Sequence, residues 1–213
     1  MAVTQKRHPL YFSILHEIIM GSIVILVITG LYIHRPFVGG GGFLMSLMRG
    51  VHTFFAITLT ISTVARVFGM FFGKNRDWRS FIPDGVDFKM LPRTFAYYAH
   101  VGKEAEKKKK YNPLQMISYC AVFVLILFQI FSGFAIKYPN NSAISWFNYS
   151  LFNNEIVSRM AHFAVTWLFI LFVMIHVYLA VRENFSEVKD IHLLSESEES
   201  SEKVKVAKEP TGD

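Results

Sequence analysis

The sequence is short of cysteine: Cys120 stands alone. A single thiol excludes an intrachain disulfide, a cysteine-ligated iron–sulfur cluster and the paired-cysteine attachment of a c-type haem. Lying inside an apolar run, Cys120 reads as a small core hydrophobe. Charge is scarce as well, with 18% of residues charged against 52% hydrophobic. Nor is the apolar content spread as a soluble core would spread it. Strand-like alternation is missing from the apolar stretches, which excludes the spanning segments of a membrane β-barrel. No small-x-small cleavage site follows the first apolar run, so that run is expected to be a retained helix rather than a signal peptide. There is no repeat at a fixed period.

What is present is four apolar blocks, at about residues 11–33, 48–72, 114–137 and 156–181. Each reaches the roughly 20 residues that a helix needs to cross a bilayer. A bilayer admits helices or closed barrels, so the fold class expected is all-α: an integral membrane four-helix bundle over residues 1–189. A loop over 73–113 separates the second and third spans, and short helices on the membrane surface are expected in it. The outer loop "HRPFVGGGG" reads as irregular and "YPNNSAISWFNYSLFNNE" as a polar, aromatic interfacial loop. Residues 190–213, low in hydrophobicity, read as a disordered tail.

The cations are placed unevenly. Two precede the first span, ten lie between the second and third, and five follow the fourth, whereas the opposite side has Arg35, Arg49, Lys137 and Arg159. By the positive-inside bias, the N and C termini and the long loop are cytoplasmic. The net charge of +6 therefore reads as membrane topology, with no nucleic-acid partner expected.

Four of the eight histidines fall inside the spans: His16, His52, His162 and His176. An imidazole in hydrocarbon needs a ligand or a bond, and its presence there points to function. His162 and His176 are fourteen residues apart, four helical turns less about 40°, so they share a face and lie about 21 Å apart along the axis. Under the expected topology His16 is level with His176 near the inner side, and His52 is level with His162 near the outer side. Two imidazoles at one depth in an apolar bundle suit the axial positions of six-coordinate haem iron. Bonds to neighbouring helices are the alternative. A zinc site suits the set poorly, without nearby Cys or carboxylates.

A proton or metal transporter built on these histidines is the reading from a different class. It would call for paired Gly/Pro interruptions at midplane, and the blocks have none. Arg66, fourteen residues after His52, either pairs with a haem propionate or snorkels to headgroups. Glu17, beside His16, either relays protons to a quinone site or is an interfacial carboxylate. Gly21, Gly30, Gly50 and Gly133 admit either a macrocycle or a closely packed helix. His8, His34, His100 and His192 are not assigned to iron.

These residues resemble a known family, the b-type cytochrome subunit of membrane-bound nickel–iron hydrogenases, within a wider group that includes the formate dehydrogenase gamma subunit and the cytochrome b of thiosulfate or polysulfide reductase. The likeness runs from about residue 10 to 190 and rests on "VITGLYIHRP", "MRGVHTFFA", "ARVFGMFFG", "DWRSFIP", "YNPLQ" and above all "RMAHFAVTWLFILFVMIHVYLAVRE". The resemblance implies a multi-pass subunit of a prokaryotic cytoplasmic membrane, itself without substrate catalysis. It would carry two haem b groups, ligated by His52 with His162 and by His16 with His176, with Arg66 as a further cofactor contact. Its partners would be an iron–sulfur small subunit, a large catalytic subunit, membrane lipid and menaquinone or ubiquinone. Asn112 and Gln115 would face the quinone. The chain departs from the family at Glu17, where a Trp is usual, and at Tyr111, where hydrogenase members have His.

Overall fold

The structure, a computed structural model, describes residues 10–37, 39, 41–73, 84–98, 101–102 and 113–183. Among them are six helices and no strand: α1 (Leu10–His34), α2 (Gly41–Phe72), α3 (Gly85–Tyr98), α4 (Pro113–Lys137), α5 (Ser142–Phe152) and α6 (Glu155–Glu183). The fold is all-α. Four of the helices, α1, α2, α4 and α6, are long and apolar enough to span a bilayer. Each runs unbroken from end to end, so its backbone bonds are closed within the segment, as hydrocarbon requires. The residues divide into two compact units, 1–63 with 166–213, and 64–165.

The first unit contains α1, the earlier part of α2 and the later part of α6. Its interior is lined by small hydroxyl side chains, among them Ser22, Thr29 and Ser62, beside Leu15, Ile23 and Leu59. Ser22, Thr29 and Ser62 each donate to the carbonyl four residues back, at 2.6, 2.7 and 2.8 Å. A hydroxyl satisfied within its own helix can be buried without a partner elsewhere. The large apolar side chains face outward instead, with Ile28 55% and Phe54 64% exposed. Lipid tails are as apolar as Phe, so small residues that let helices approach are what the interior gains from.

In the second unit α3 is capped by an exchange of bonds. Asp84 Oδ1 accepts from the amides of Val86 and Asp87, while Asp87 Oδ2 accepts from the amide of Asp84. The helix α5 has Asn141 at its N-cap, accepting from the Ala143 amide, and Asn153 at its C-cap with φ 60°, left-handed. Asn148, fully buried, donates from Nδ2 to the Ala135 carbonyl at 3.0 Å. That carbonyl is available because its helical partner would be the amide of residue 139, which is a proline.

Three local expectations are corrected. The segment read as an interfacial loop contains α5, because its asparagines act as helix caps and not as loop formers. Gly41 and Gly42 belong to α2, not to an irregular loop. The penalty of about 1 kcal/mol per helical glycine is outweighed by thirty following residues that propagate the helix. Cys120 is exposed on α4 and not in a core, which a small apolar side chain on a lipid-suited helix tolerates. The expected tail at 190–213 lies outside the described residues, as do His8, His100, Asn112 and His192.

Candidate functional site

His52 and His162 belong to different units, and each has the same surroundings within its own. In the first unit Thr29 Oγ1 lies 2.8 Å from His52 Nδ1 and 2.7 Å from the Ile25 carbonyl. In the second, Ser132 Oγ lies 2.8 Å from His162 Nδ1 and 2.6 Å from the Phe128 carbonyl. A hydroxyl has one proton, and a carbonyl can only accept it. With that proton given to the carbonyl, the hydroxyl oxygen must accept from the imidazole, so Nδ1 carries hydrogen. In the neutral ring this leaves the lone pair on Nε2, the tautomer that binds a metal through Nε2.

A glycine stands next to each hydroxyl. A Cβ on Gly30 would lie 3.4 Å from His52 Cε1, and one on Gly133 would lie 3.3 Å from His162 Cε1. Each imidazole edge therefore rests against helix backbone where other residues carry a side chain. At Gly30 and Gly133 the close neighbour is an imidazole from another helix, so close helix packing, one of the two expected readings, is what lies at these positions. Gly21 and Gly50 have no atom within 4 Å of such a Cβ. His162 has one tie more, since Gln129 Nε2 donates to its backbone carbonyl at 3.2 Å.

The other two histidines meet within the first unit. The rings of His16 and His176 have centroids 6.2 Å apart and planes inclined at 42°. Two metal–nitrogen bonds of about 2 Å plus the centre-to-nitrogen distance in each ring make roughly 6 Å, the separation of imidazoles on opposite sides of one iron. Phe172 stacks on His176 at 5.4 Å. Glu17 Oε1 is 3.5 Å from His16 Nδ1, both side chains being part-exposed. The donor chemistry, the ring spacing and the two glycine cradles all fit axial ligation of haem iron. Among the described residues no three His, Cys, Asp or Glu side chains gather as a site for a bare metal ion.

Arg66 is half-buried on α2, and Gln115 is half-buried in the first turn of α4. The sequence reading passed over Thr29, Ser132 and Gln129. A signal for the first two was there: "TGLYIHRP" from 29 and "SGFAIKYP" from 132 share hydroxyl, glycine, isoleucine and proline at the same offsets. Being a pair and not a periodic array, they leave no fixed-period repeat to detect.

Comparison with known proteins bears on the same residues. The family model described as prokaryotic cytochrome b561 matches residues 7–192. The probable Ni/Fe-hydrogenase B-type cytochrome subunit of Rhizobium leguminosarum bv. viciae is 29% identical over 193 residues, covering 83% of this chain and 80% of that protein. Its counterpart in Azotobacter vinelandii is 29% identical over 184 residues, covering 79% and 77%. The probable Ni/Fe-hydrogenase 1 B-type cytochrome subunit of Escherichia coli (strain K12) is 24% identical over 191 residues, covering 79% of each. With its four span-length helices and a family match over nearly its whole length, the chain is a multi-pass membrane protein that belongs to the prokaryotic cytochrome b561 family.

Proposed function

We propose that this chain is the dihaem membrane subunit of a nickel–iron hydrogenase, linking a partner's iron–sulfur clusters to quinone. The observation that carries the reading is the matched contact of Thr29 Oγ1 and Ser132 Oγ with both a helix carbonyl and an imidazole Nδ1, an arrangement suited to Nε2 of His52 and His162 acting as lone-pair donors. The spacing of His16 and His176 supports a second ligand pair. The depth match read from the sequence assigns His52 and His162 to one level. Haem b, when bound, supplies one-electron carriage between the partner and quinone.

The chain's own part is to hold and orient. The four imidazoles would hold haem through ring nitrogens, and the apolar helices would exclude water around them. Arg66 supplies a cation for a propionate. The resemblance makes Asn112 and Gln115 contacts for quinone and Glu17, beside His16, a proton relay to it, while the cation bias puts both termini on the cytoplasmic side. The names of the relatives favour hydrogenase over formate dehydrogenase or thiosulfate reductase as the parent complex. The unbroken spans weigh against a transporter with discontinuous helices.

The test is a reduced-minus-oxidised spectrum of the purified complex with pyridine haemochrome quantification. Two haem b per chain is the expected result, with a quinone analogue reduced when hydrogen is supplied. A chain that purifies with its partners yet has no b-type band would reject the reading.

A further inference from the structure

We propose that Thr29 and Ser132 are a matched pair of positioning residues that set the tautomer and the electron density of His52 and His162. The inference rests on the haem reading above and deepens it. In each unit the device has the same parts. A hydroxyl donates to the carbonyl four residues back and accepts from Nδ1–H of an imidazole, at 2.8 Å to the ring in both cases. A glycine follows it, and the imidazole Cε1 rests where a Cβ would be, at 3.4 and 3.3 Å. Each hydroxyl lies seven residues, about two helical turns, before the proline that follows its helix, Pro36 or Pro139.

Chain separation differs, 23 residues from Thr29 to His52 and 30 from Ser132 to His162. The longer connection includes α5. Two connections of different length converge on one geometry, which points to the hydroxyl–glycine step and not to loop length as what sets each ring.

The chemical consequence has a sign. A hydroxyl oxygen accepting from Nδ1–H draws that proton outward and makes Nε2 a stronger donor. A stronger donor favours the ferric state and lowers the reduction potential. Removing the acceptor has the reverse effect and also leaves a buried N–H without its bond.

The experiment uses the full chain purified with its partners. Thr29→Val keeps the shape of the side chain and removes the acceptor; Ser132→Ala does so with the loss of one atom. Thr29→Ser and Ser132→Thr retain the hydroxyl. Haem content, the midpoint potentials from a redox titration and the low-spin ferric EPR signal are measured for each. The hydroxyl-free variants are expected to hold haem about 10- to 100-fold more weakly. In the fraction that retains haem, one midpoint potential moves upward and its EPR signal shifts, while the hydroxyl-retaining exchanges restore wild-type values. Hydroxyl-free variants with unchanged potentials and EPR would overturn the proposal. If a hydroxyl-free variant loses all haem, the exchanges decide: haem kept at wild-type potential by Thr29→Ser and Ser132→Thr supports the proposal, and haem lost with the hydroxyl still present overturns it. Failure of the underlying reading looks different: His52→Ala and His162→Ala would then leave the spectrum intact.

Discussion

Two kinds of histidine setting occur in this chain. His52 and His162 are each held by a neutral hydroxyl at 2.8 Å and pressed against a glycine. His16 and His176 instead stand 6.2 Å from one another, stacked on Phe172 at one ring and flanked by the Glu17 carboxylate at the other. The first setting favours one tautomer, since a hydroxyl that donates its single proton to a helix carbonyl can only accept from Nδ1–H. In the second, the Glu17 carboxylate stands 3.5 Å from His16 Nδ1, longer than a well-formed hydrogen bond. The difference teaches that one pair is oriented from behind by its neighbours, and the other by ring-to-ring spacing.

The strongest way to break that comparison is to remove the rings. His52→Ala or His162→Ala is expected to abolish one of two b-type signals, and His176→Ala the other. A difference spectrum with pyridine haemochrome counts the loss. Should His52→Ala and His176→Ala remove the same signal, the two settings would not correspond to two cofactors.

The next effect in size comes from Gly133→Ala. Its methyl group would meet His162 Cε1 at 3.3 Å, so the ring must shift by a few tenths of an ångström and lengthen its bond to Ser132. Haem retention is expected to fall about tenfold, the low end for loss of a supporting partner around a metal ligand. Gly30→Ala, at 3.4 Å, should fall less. Equal losses at the two positions would show that contact distance is not what matters.

A finer probe separates the two hydroxyl-held rings from each other. Gln129 ties the His162 carbonyl, whereas the equivalent place in α1, three residues before the hydroxyl, is Leu26. Gln129→Leu is expected to destabilise the chain by about 0.5–1.5 kcal/mol, the net worth of one such bond, with the haem potentials unchanged. Thermal unfolding in detergent together with the redox titration checks both halves of that statement.

The smallest expected effect is that of Glu17→Gln. Removing a carboxylate 3.5 Å from His16 Nδ1 should raise the midpoint potential of the cofactor held by His16 and leave the other one in place. The shift will be modest because both side chains are part-exposed to their surroundings. A titration in which the two potentials moved together would dissolve the distinction between the settings.

Much of this architecture was legible residue by residue. The apolar lengths that became α1, α2, α4 and α6 needed no tertiary information, because bilayer thickness acts on each segment separately. The fourteen-residue step from His162 to His176 could likewise be read along one helix. The matching steps at Thr29 and Ser132 could be read in the sequence, but the rings they bond could not. A threonine in a transmembrane helix usually bonds its own carbonyl, and Thr29 does so; its second bond, to a ring 23 residues away, has no local signature. The role of Asn148 was not legible for the same reason, since it depends on the Ala135 carbonyl of α4, whose helical partner would be the amide of residue 139, a proline.

The amino-acid order by itself determined an all-α membrane chain, its four spans and the fourteen-residue step between His162 and His176, since length, hydropathy and helical spacing act segment by segment. Only the tertiary structure decided which oxygen meets which imidazole, that the Cε1 edges lie against Gly30 and Gly133, and that His16 and His176 stand an iron's width apart. Those facts depend on distances between residues remote in the chain, and helix packing alone sets them.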